Sequence, residues 1–318
     1  MTFEQKLLII IISIILLILL FLFIIFPYIC YRMTFYSNRK KDNLYMLDSK
    51  MYRNYKDEII DYMNKVDNMP CKEMYITSHD GLKLYGRYFE YEKDAPIEII
   101  FHGYKGDSRR DLSAAIYRCF ALKHSSLIVD HRASGKSEGK TITFGVKEVK
   151  DVPLWIDYVI KNINKDAKIL LGGVSMGAAT VMMISNQQLP NNVKGILADC
   201  GYTSQKEIIK HYIKNMKLPP NIVYPFIKLG ARIYGKFNLE ETSPIEAVKK
   251  SLYPILFIHG DIDDFVPYNM SVENYNACTS KKSLATIKNA DHGLAYLADK
   301  EGYVKALGDF FDEILKGE

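Results

Sequence analysis

The amino-acid sequence predicts an α/β fold in which helices cover both faces of a mostly parallel central sheet. From Ile97 onward, short continuous apolar segments alternate with stretches of helical periodicity. One apolar segment ends in the turn Gly173-Val174-Ser175-Met176-Gly177 and leads into a helix. The pair Asp80-Gly81 separates two strand-like segments, which predicts an antiparallel hairpin at one edge of the sheet.

The predicted elements occupy residues 71–318, which we interpret as the globular domain. Strands are predicted over residues 73–77, 82–89, 97–101, 126–129, 168–171, 195–198, 254–258 and 284–287. Helices are predicted over residues 112–122, 152–163, 178–184, 206–216, 222–234 and 294–315. Asp151 is expected to cap the second of these helices, with Pro153 in its first turn.

One long stretch interrupts the alternation of strands and helices. Residues 201–252 have helical character and contain no predicted strand. An excursion between two core strands is expected over the carboxyl edge of the sheet, where ligands bind in open α/β folds. We therefore interpret residues 201–252 as a small helical lid.

The N-terminus carries a strongly apolar segment. Residues 7–26 are almost entirely Leu, Ile and Phe, and Ser13 is the only polar one. Twenty residues at 1.5 Å rise per residue span roughly 30 Å, the thickness of the hydrocarbon core. A cleaved signal peptide is the alternative, but the run exceeds the usual apolar region of about 7–15 residues and no A-x-A site follows. The sequence predicts one transmembrane anchor over residues 1–30, in contact with the membrane through residues 7–29.

Charge and cysteine content bear on the sidedness of this anchor. Lys6 precedes the apolar segment, whereas Arg32, Arg39, Lys40 and Lys41 follow it, so the positive-inside rule predicts that the large C-terminal domain is cytoplasmic. Five scattered cysteines without a C-x-x-C pair agree weakly with this and predict neither a disulfide framework nor a zinc site. The opposite orientation stays open, because long domains can translocate despite flanking charge.

Residues 31–70 are polar and basic, and they predict a helical connector between the anchor and the domain. Its basic residues could contact anionic headgroups, or the segment could be a solvated spacer. The net charge of +5 lies largely near the N-terminus, so no nucleic-acid partner is predicted. The oligomeric state is left open.

The turn at Ser175 has the pattern of a nucleophile elbow. A strand, a sharp G-x-S-x-G turn and a helix follow one another, and glycines two residues on either side leave room for a tight turn. Ser175 would then lie at a helix N-terminus, where free amides and the helix dipole favour developing negative charge. The sequence predicts Ser175 as a nucleophile.

An acid and a histidine follow Ser175 in the order that this chemistry needs. Asp263 comes after the strand ending at Ile258, and it is expected to orient and stabilise a histidine. His292 lies in the loop after the last predicted strand and is the expected base. The aspartate cluster at 261–264 could suggest a Ca²⁺ loop, but it lacks the glycine and glutamate of that motif.

Two backbone amides are expected to stabilise an oxyanion. One belongs to Met176, the residue after the nucleophile, and the other to Tyr104 in the loop after the third strand. A phosphate-binding loop is rejected for both glycine-rich turns, because neither is followed by Lys-Ser or Lys-Thr. No metal and no organic cofactor is expected.

These motifs together resemble the α/β-hydrolase superfamily over residues 71–318. The resemblance rests on the Ser175 turn, His102-Gly103, His259-Gly260 with Asp263, and His292-Gly293. In addition, residues 130–137 are similar to the D-x-R-G-x-G-x-S loop of the serine-aminopeptidase-like branch. This loop departs from the pattern in having Ala133 where glycine is usual.

The resemblance implies acyl transfer by a serine hydrolase, on a small-molecule ester or peptide. A membrane-anchored carboxylic-ester hydrolase is the leading interpretation. A serine peptidase on the same triad is the alternative, with Glu240 or Glu241 of the lid as an anchor for a substrate amine. A catalytically silent hydrolase fold that serves as a tethered binding module is the third.

Overall fold

The computed structural model describes residues 1–37 and 43–316, and its centre is an eight-stranded sheet. The strand order is β1-β2-β4-β3-β5-β6-β7-β8. The strands are β1 (Lys72–Thr77), β2 (Lys83–Phe89), β3 (Ile97–Phe101), β4 (Ser125–Val129), β5 (Ile169–Val174), β6 (Val193–Asp199), β7 (Ile255–Gly260) and β8 (Lys282–Ile287). The β1–β2 and β2–β4 pairs are antiparallel and the other pairs are parallel. The prediction of a mostly parallel sheet with an antiparallel edge is confirmed.

Helices surround this sheet and extend from it toward the N-terminus. They are α1 (Phe3–Leu20), α2 (Phe26–Thr34), α3 (Lys56–Asp67), α4 (Ser108–Ala121), α5 (Val152–Asn162), α6 (Met176–Ile184), α7 (Gln205–Asn215), α8 (Pro220–Ile233), α9 (Pro244–Val248), α10 (Tyr268–Ala277), α11 (Ala295–Ala298) and α12 (Lys300–Lys316). A π-helical stretch, Phe21–Ile25, joins α1 to α2, and 3-10 turns occupy Asn43–Asp48 and Glu148–Asp151.

The central strands β3 to β7 are buried on both faces, as their continuous apolar sequences require. Successive residues of β5 belong to different apolar clusters: Leu171 packs in the large cluster that contains α5 and α6, whereas Leu170 packs in the cluster that contains α12. Because neighbouring side chains on a strand point to opposite faces, this alternation places helices on both sides of the sheet.

Three local expectations are corrected. Helix α4 begins at Ser108 and not at residue 112, because Asp107 caps it by accepting a hydrogen bond from the Arg110 amide at 2.9 Å. Asp151 does not cap α5: its carboxylate instead binds the Arg132 guanidinium at 2.7 and 2.9 Å. The last predicted helix is two helices, α11 and α12.

The excursion between β6 and β7 is helical, as predicted, and consists of α7, α8 and α9. The N-terminal helix packs against it. A Cβ on Gly230 of α8 would lie 2.4 Å from the Pro27 carbonyl oxygen, so glycine allows the two helices to approach closely. The rings of Phe26 and Phe226 meet edge to face at 5.0 Å. The C-terminal part of the N-terminal helix therefore packs against α8.

The helix that runs from Phe3 to Thr34 is long and apolar enough to cross a membrane. Its most apolar window has a mean hydropathy of 3.8 and no buried residue. Length and composition also suit a signal sequence. The first buried side chains of this helix are Pro27, Cys30 and Tyr31, whereas Tyr28 and Ile29 between them are exposed. Arg39, Lys40 and Lys41, on which the predicted sidedness depends in part, lie outside the described residues.

The connector is packed onto the domain over residues 43–67. Leu47, Ile59 and Met63 form an apolar cluster with Leu294, which lies just before α11. Asp67, at the end of α3, binds Arg109 of α4 at 2.7 Å. The expectation of a solvated spacer is wrong for this part of the connector, because its apolar side chains are buried against α4 and α11.

Candidate active site

The turn between β5 and α6 holds Ser175 in a strained conformation. Ser175 has φ +56° and ψ −112°, a region that non-glycine residues seldom occupy. A Cβ on Gly173 would lie 2.2 Å from the Gly177 carbonyl carbon, and one on Gly177 would lie 2.0 Å from the Phe101 carbonyl oxygen. The two glycines are needed because backbone fills the space on both sides of the turn.

The structure brings the three predicted side chains together. The Oγ atom of Ser175 lies 2.9 Å from Nε2 of His292. The Nδ1 atom of His292 lies 2.7 Å from Oδ2 of Asp263. All three residues are 5% exposed, so water competes little with these hydrogen bonds. A hydroxyl, an imidazole and a carboxylate that are hydrogen-bonded in this order allow the hydroxyl proton to move to the imidazole.

Asp263 is held by four donors. Its Oδ1 accepts from the amides of Phe265 and Val266 at 2.9 and 2.8 Å. Its Oδ2 accepts from His292 and from Nε2 of His259 at 3.0 Å. Burial alone would raise the pKa of Asp263, but the charge of His292 and the hydrogen bonds from both histidines outweigh it and hold the pKa well below its ordinary value. Asp263 is therefore a carboxylate.

His259 is a site residue to which the sequence analysis assigned no role. It is the penultimate residue of β7 and fully buried, with Nδ1 2.6 Å from the Ser271 hydroxyl. Because Nε2 is shared between Asp263 and the Val266 carbonyl, His259 positions the turn that carries Asp263. Its place at the end of a strand, four residues before the acid, was the available signal.

The loop after β3 lies against the serine. A Cβ on Gly103 would be 3.5 Å from the Ser175 Cβ. His102 fixes this loop: Nδ1 lies 2.7 Å from the Gly103 carbonyl oxygen, and Nε2 accepts from the His131 amide at 3.0 Å. Tyr104 follows Gly103 and lines the cavity beside Ser175, and Met176 is the first residue of α6. Both predicted amide donors thus belong to segments adjacent to the serine.

The loop over residues 130–137 is built around Asp130. Its Oδ1 accepts from the Ser108 amide and its Oδ2 from the Lys136 amide, both at 2.8 Å. Ala133, where glycine is usual in similar loops, has φ +62°. The loop therefore keeps a left-handed residue at this position, although alanine adopts that conformation at a cost.

A cavity of about 400 Å³ opens beside Ser175 and His292. Its walls come from α4, the loop that carries His292, α11 and α12, and the ends of β3, β5 and β6. Residues 47–62 of the connector line it as well, whereas none of the described residues 201–252 does. The segment interpreted as a lid therefore does not line the cavity.

The two acidic lid residues lie outside this cavity. Glu240 binds Tyr224 at 2.8 Å and also pairs with Lys228, and Glu241 pairs with Lys150 at 2.8 Å. Neither carboxylate is placed to hold a substrate amine in the cavity. Asp199, at the end of β6, lines the cavity instead and accepts a hydrogen bond from Tyr303 at 2.7 Å.

One group of potential metal ligands coincides with this site. Donor atoms of Cys200, Asp263 and His292 lie within 4.8 Å of one another. Burial raises the pKa of the Cys200 thiol well above its ordinary value, so the thiol is protonated. Because thiolates and not thiols bind metals, and because Asp263 and His292 bind each other, the arrangement does not fit a metal centre.

Solved structures of other proteins share the fold of this chain, which is the α/β-hydrolase fold. The esterase Pf2001 of Pyrococcus furiosus aligns with a TM-score of 0.63 and 23% identity, over 79% of this chain and 93% of that chain. The acylaminoacyl peptidase of Pyrococcus horikoshii aligns with a TM-score of 0.55 and 17% identity, over 80% of this chain and 43% of that chain.

Sequence comparison gives the family. The protein YqkD of Bacillus subtilis is 26% identical over 256 residues, which are 80% of this chain and 83% of that protein. The family model of the prolyl oligopeptidase family matches residues 141–318, more than half of the chain. The chain belongs to this family of hydrolases.

Proposed function

We propose that the protein is a membrane-anchored serine hydrolase that cleaves carboxylic esters by acyl transfer. The observation that carries the proposal is the hydrogen-bonded chain from Ser175 through His292 to Asp263, which opens onto a cavity of about 400 Å³. The strained serine, the buried carboxylate and the adjacent cavity are what covalent catalysis by a serine requires.

In the proposed first step, the Ser175 Oγ attacks the ester carbonyl carbon while Nε2 of His292 accepts the hydroxyl proton. The tetrahedral intermediate collapses, the bond to the alcohol oxygen breaks, and His292 gives its proton to the leaving alcohol. Water then attacks the acyl-enzyme by the same route, which releases the carboxylic acid and returns the proton to Ser175. Asp263 stabilises the imidazolium throughout. No metal or cofactor takes part.

The amides of Tyr104 and Met176 are the proposed oxyanion donors. Met176 is the first residue of α6, where amides have no partner within the helix. A donor of this kind typically contributes about 3–4 kcal/mol to the stability of the transition state.

Labelling with a fluorophosphonate probe tests the nucleophile. The full chain is reconstituted in lipid nanodiscs beside Ser175→Ala, His292→Ala and the control Ser185→Ala. Ser185 directly follows α6, and its buried hydroxyl has no partner among the described residues. We expect labelling of the wild type and the control only. A folded wild type that resists labelling would support a silent binding module instead.

A serine peptidase is the second candidate, and membership in the prolyl oligopeptidase family favours it. The side chains of Glu240 and Glu241 are engaged within the lid and with Lys150, so they do not support an amine anchor. Parallel assays with acyl 4-nitrophenyl esters and aminoacyl 4-nitroanilides separate the two. Hydrolysis of the anilides alone would replace the esterase proposal with the peptidase.

The proposed anchor is the exposed apolar helix, in contact with lipid through residues 7–29 and with the domain on the cytoplasmic side. Cys71 offers a test of sidedness, because it is exposed and the other four cysteines are buried. A membrane-impermeant maleimide should label intact cells only after permeabilisation, and Cys71→Ser should abolish that labelling. Labelling without permeabilisation would reverse the orientation, and recovery of a cleaved soluble chain would indicate a signal peptide.

A further inference from the structure

The connector forms part of the wall of the cavity. Leu47, Met51, Tyr52, Ile59 and Tyr62 all line the cavity that contains Ser175 and His292. We call residues 47–62 the roof. The Tyr52 hydroxyl lies 3.9 Å from the position of a Cβ on Gly293, so the roof reaches the loop that carries His292.

Helix α3, which begins within the roof, is bound to the rest of the domain near both of its ends. Glu58, in the first turn of α3, pairs with Lys300 of α12. Asp67, the last residue of α3, binds Arg109 at 2.7 Å. Between them, the ring of Tyr62 packs against Tyr117 of α4 at 5.0 Å. The roof is therefore a fixed wall that spans the groove between α4 and α12.

Two arginines of the cavity wall pair with carboxylates, Asp199 accepts a hydrogen bond from Tyr303, and Lys50 is exposed to solvent. Arg118 pairs with Glu98 at 2.8 Å, and Arg110 with Asp111 at 2.6 Å. The roof adds apolar surface from Leu47, Met51 and Ile59. A cavity in which the buried arginines are neutralised and much of the wall is aliphatic or aromatic favours an apolar ligand.

We propose that the roof is the acyl-chain wall of the active site and that Met51 and Ile59 set the length of the aliphatic chain that is accepted. The inference rests on the proposed esterase function and names its substrate class: esters of medium and long unbranched fatty acids. The lid over residues 201–252 has no part in this selection, since none of its described residues lines the cavity.

Two substitutions with opposite effects on the cavity test the inference. Met51 is half-buried in the roof, so Met51→Trp fills the cavity, whereas Ile59→Ala enlarges it. Ile222→Trp is the control, because Ile222 lies on the lid and is 64% exposed. The assay measures kcat/KM for 4-nitrophenyl esters from butanoyl to hexadecanoyl, with the full chain in nanodiscs.

We expect Met51→Trp to lower kcat/KM for dodecanoyl relative to butanoyl esters by roughly tenfold or more, the scale of a pocket that loses space for one or a few methylenes. Ile59→Ala should shift the optimum toward longer chains, and Ile222→Trp should leave the profile unchanged. A purely structural role would lower all rates together and would not shift the two variants in opposite directions.

The failures of the two proposals are distinguishable. If the wild type hydrolyses esters and all three variants have the same chain-length profile, the acyl-chain wall is overturned but the esterase function stands. Absence of ester turnover by the wild type would overturn the esterase. In that case, binding of a fluorescent fatty acid to the Ser175→Ala protein tests the acyl-chain wall separately. Binding that is weakened by adding Met51→Trp supports the wall, and absence of binding overturns it.

Discussion

Replacing Asp263 by asparagine is the sharpest test of the proposed mechanism. The carboxylate accepts hydrogen bonds on both oxygens, two from backbone amides and two from histidine rings. An asparagine keeps one oxygen for the amides of Phe265 and Val266 and turns its NH₂ group toward the two rings. His292 must then accept on Nδ1 and carry its proton on Nε2, where it faces Ser175 and no longer takes the hydroxyl proton.

The expected loss is large. Removing the acid that fixes the tautomer lowers kcat by about 10⁴, which corresponds to roughly 5.5 kcal/mol of transition-state stabilisation. Stability should also fall, because each hydrogen bond to a charged partner contributes about 1.5–3 kcal/mol. Burial would raise the pKa of Asp263, but His292 and His259 hold it well below its ordinary value, so the carboxylate is ionised from pH 6 to pH 8 and the loss is expected throughout that range.

The assay is kcat/KM on 4-nitrophenyl butanoate, with the full chain in nanodiscs and thermal unfolding beside it. Asp264→Asn is the matched control, since Asp264 is the exposed neighbour of Asp263. A folded Asp263→Asn protein within tenfold of wild-type activity would refute the assignment of Asp263. An equal loss in Asp264→Asn would show that the loop, and not the carboxylate, is responsible.

Three further substitutions probe the fold. Gly177→Ala would place a Cβ 2.0 Å from the Phe101 carbonyl oxygen, so we expect a loss of about 3 kcal/mol in thermal unfolding, and an unchanged Tm would contradict the tight turn. Burial alone would raise the pKa of Glu98, but Arg118 and a neighbouring histidine lower it to about 2. A folded pKa below the unfolded value means that this stability is present above about pH 4.5 and is lost as the pH falls toward 2. Acid unfolding followed by circular dichroism should therefore shift for Glu98→Gln, which should also be about 3–5 kcal/mol less stable at pH 7, and coincident acid curves would refute this. Ala133→Gly should raise stability by about 0.5–1 kcal/mol in denaturant unfolding, because φ +62° suits glycine, and a destabilised variant would show that alanine is favoured there.

The members of the candidate site could be read from the sequence because each follows a strand. The Ser175 turn follows β5, Asp263 follows β7 and His292 follows β8. In a parallel sheet these strand ends share one edge, so side chains far apart in sequence meet there. Local signals, a strand and then a turn of fixed composition, were thus enough to identify residues 117 and 29 positions apart that bind one another.

Contacts that depend on a partner distant in sequence could not be predicted from such local signals. Asp151 has the local environment of a helix cap, yet its carboxylate binds Arg132, because a buried guanidinium offers two hydrogen bonds and a charge. The connector shows the same limit. Leu47, Ile59 and Met63 give the connector an apolar face, but the sequence does not say that this face meets Leu294.

The end of the N-terminal helix also connects to the proposed oxyanion loop. The last carbonyls of a helix have no partner within it and attract donors and cations. Here the Thr34 carbonyl accepts from the Tyr104 hydroxyl at 2.6 Å, and the Met33 carbonyl accepts from the Lys105 ammonium at 2.9 Å. Tyr104 is also the proposed source of an oxyanion amide, so the helix end restrains the loop that presents it. Because the roof also lines the cavity, the end of the N-terminal helix and the roof contact the candidate site at two places. These segments are therefore part of the candidate site, because the shape of the cavity and the restraint on the proposed oxyanion loop depend on them.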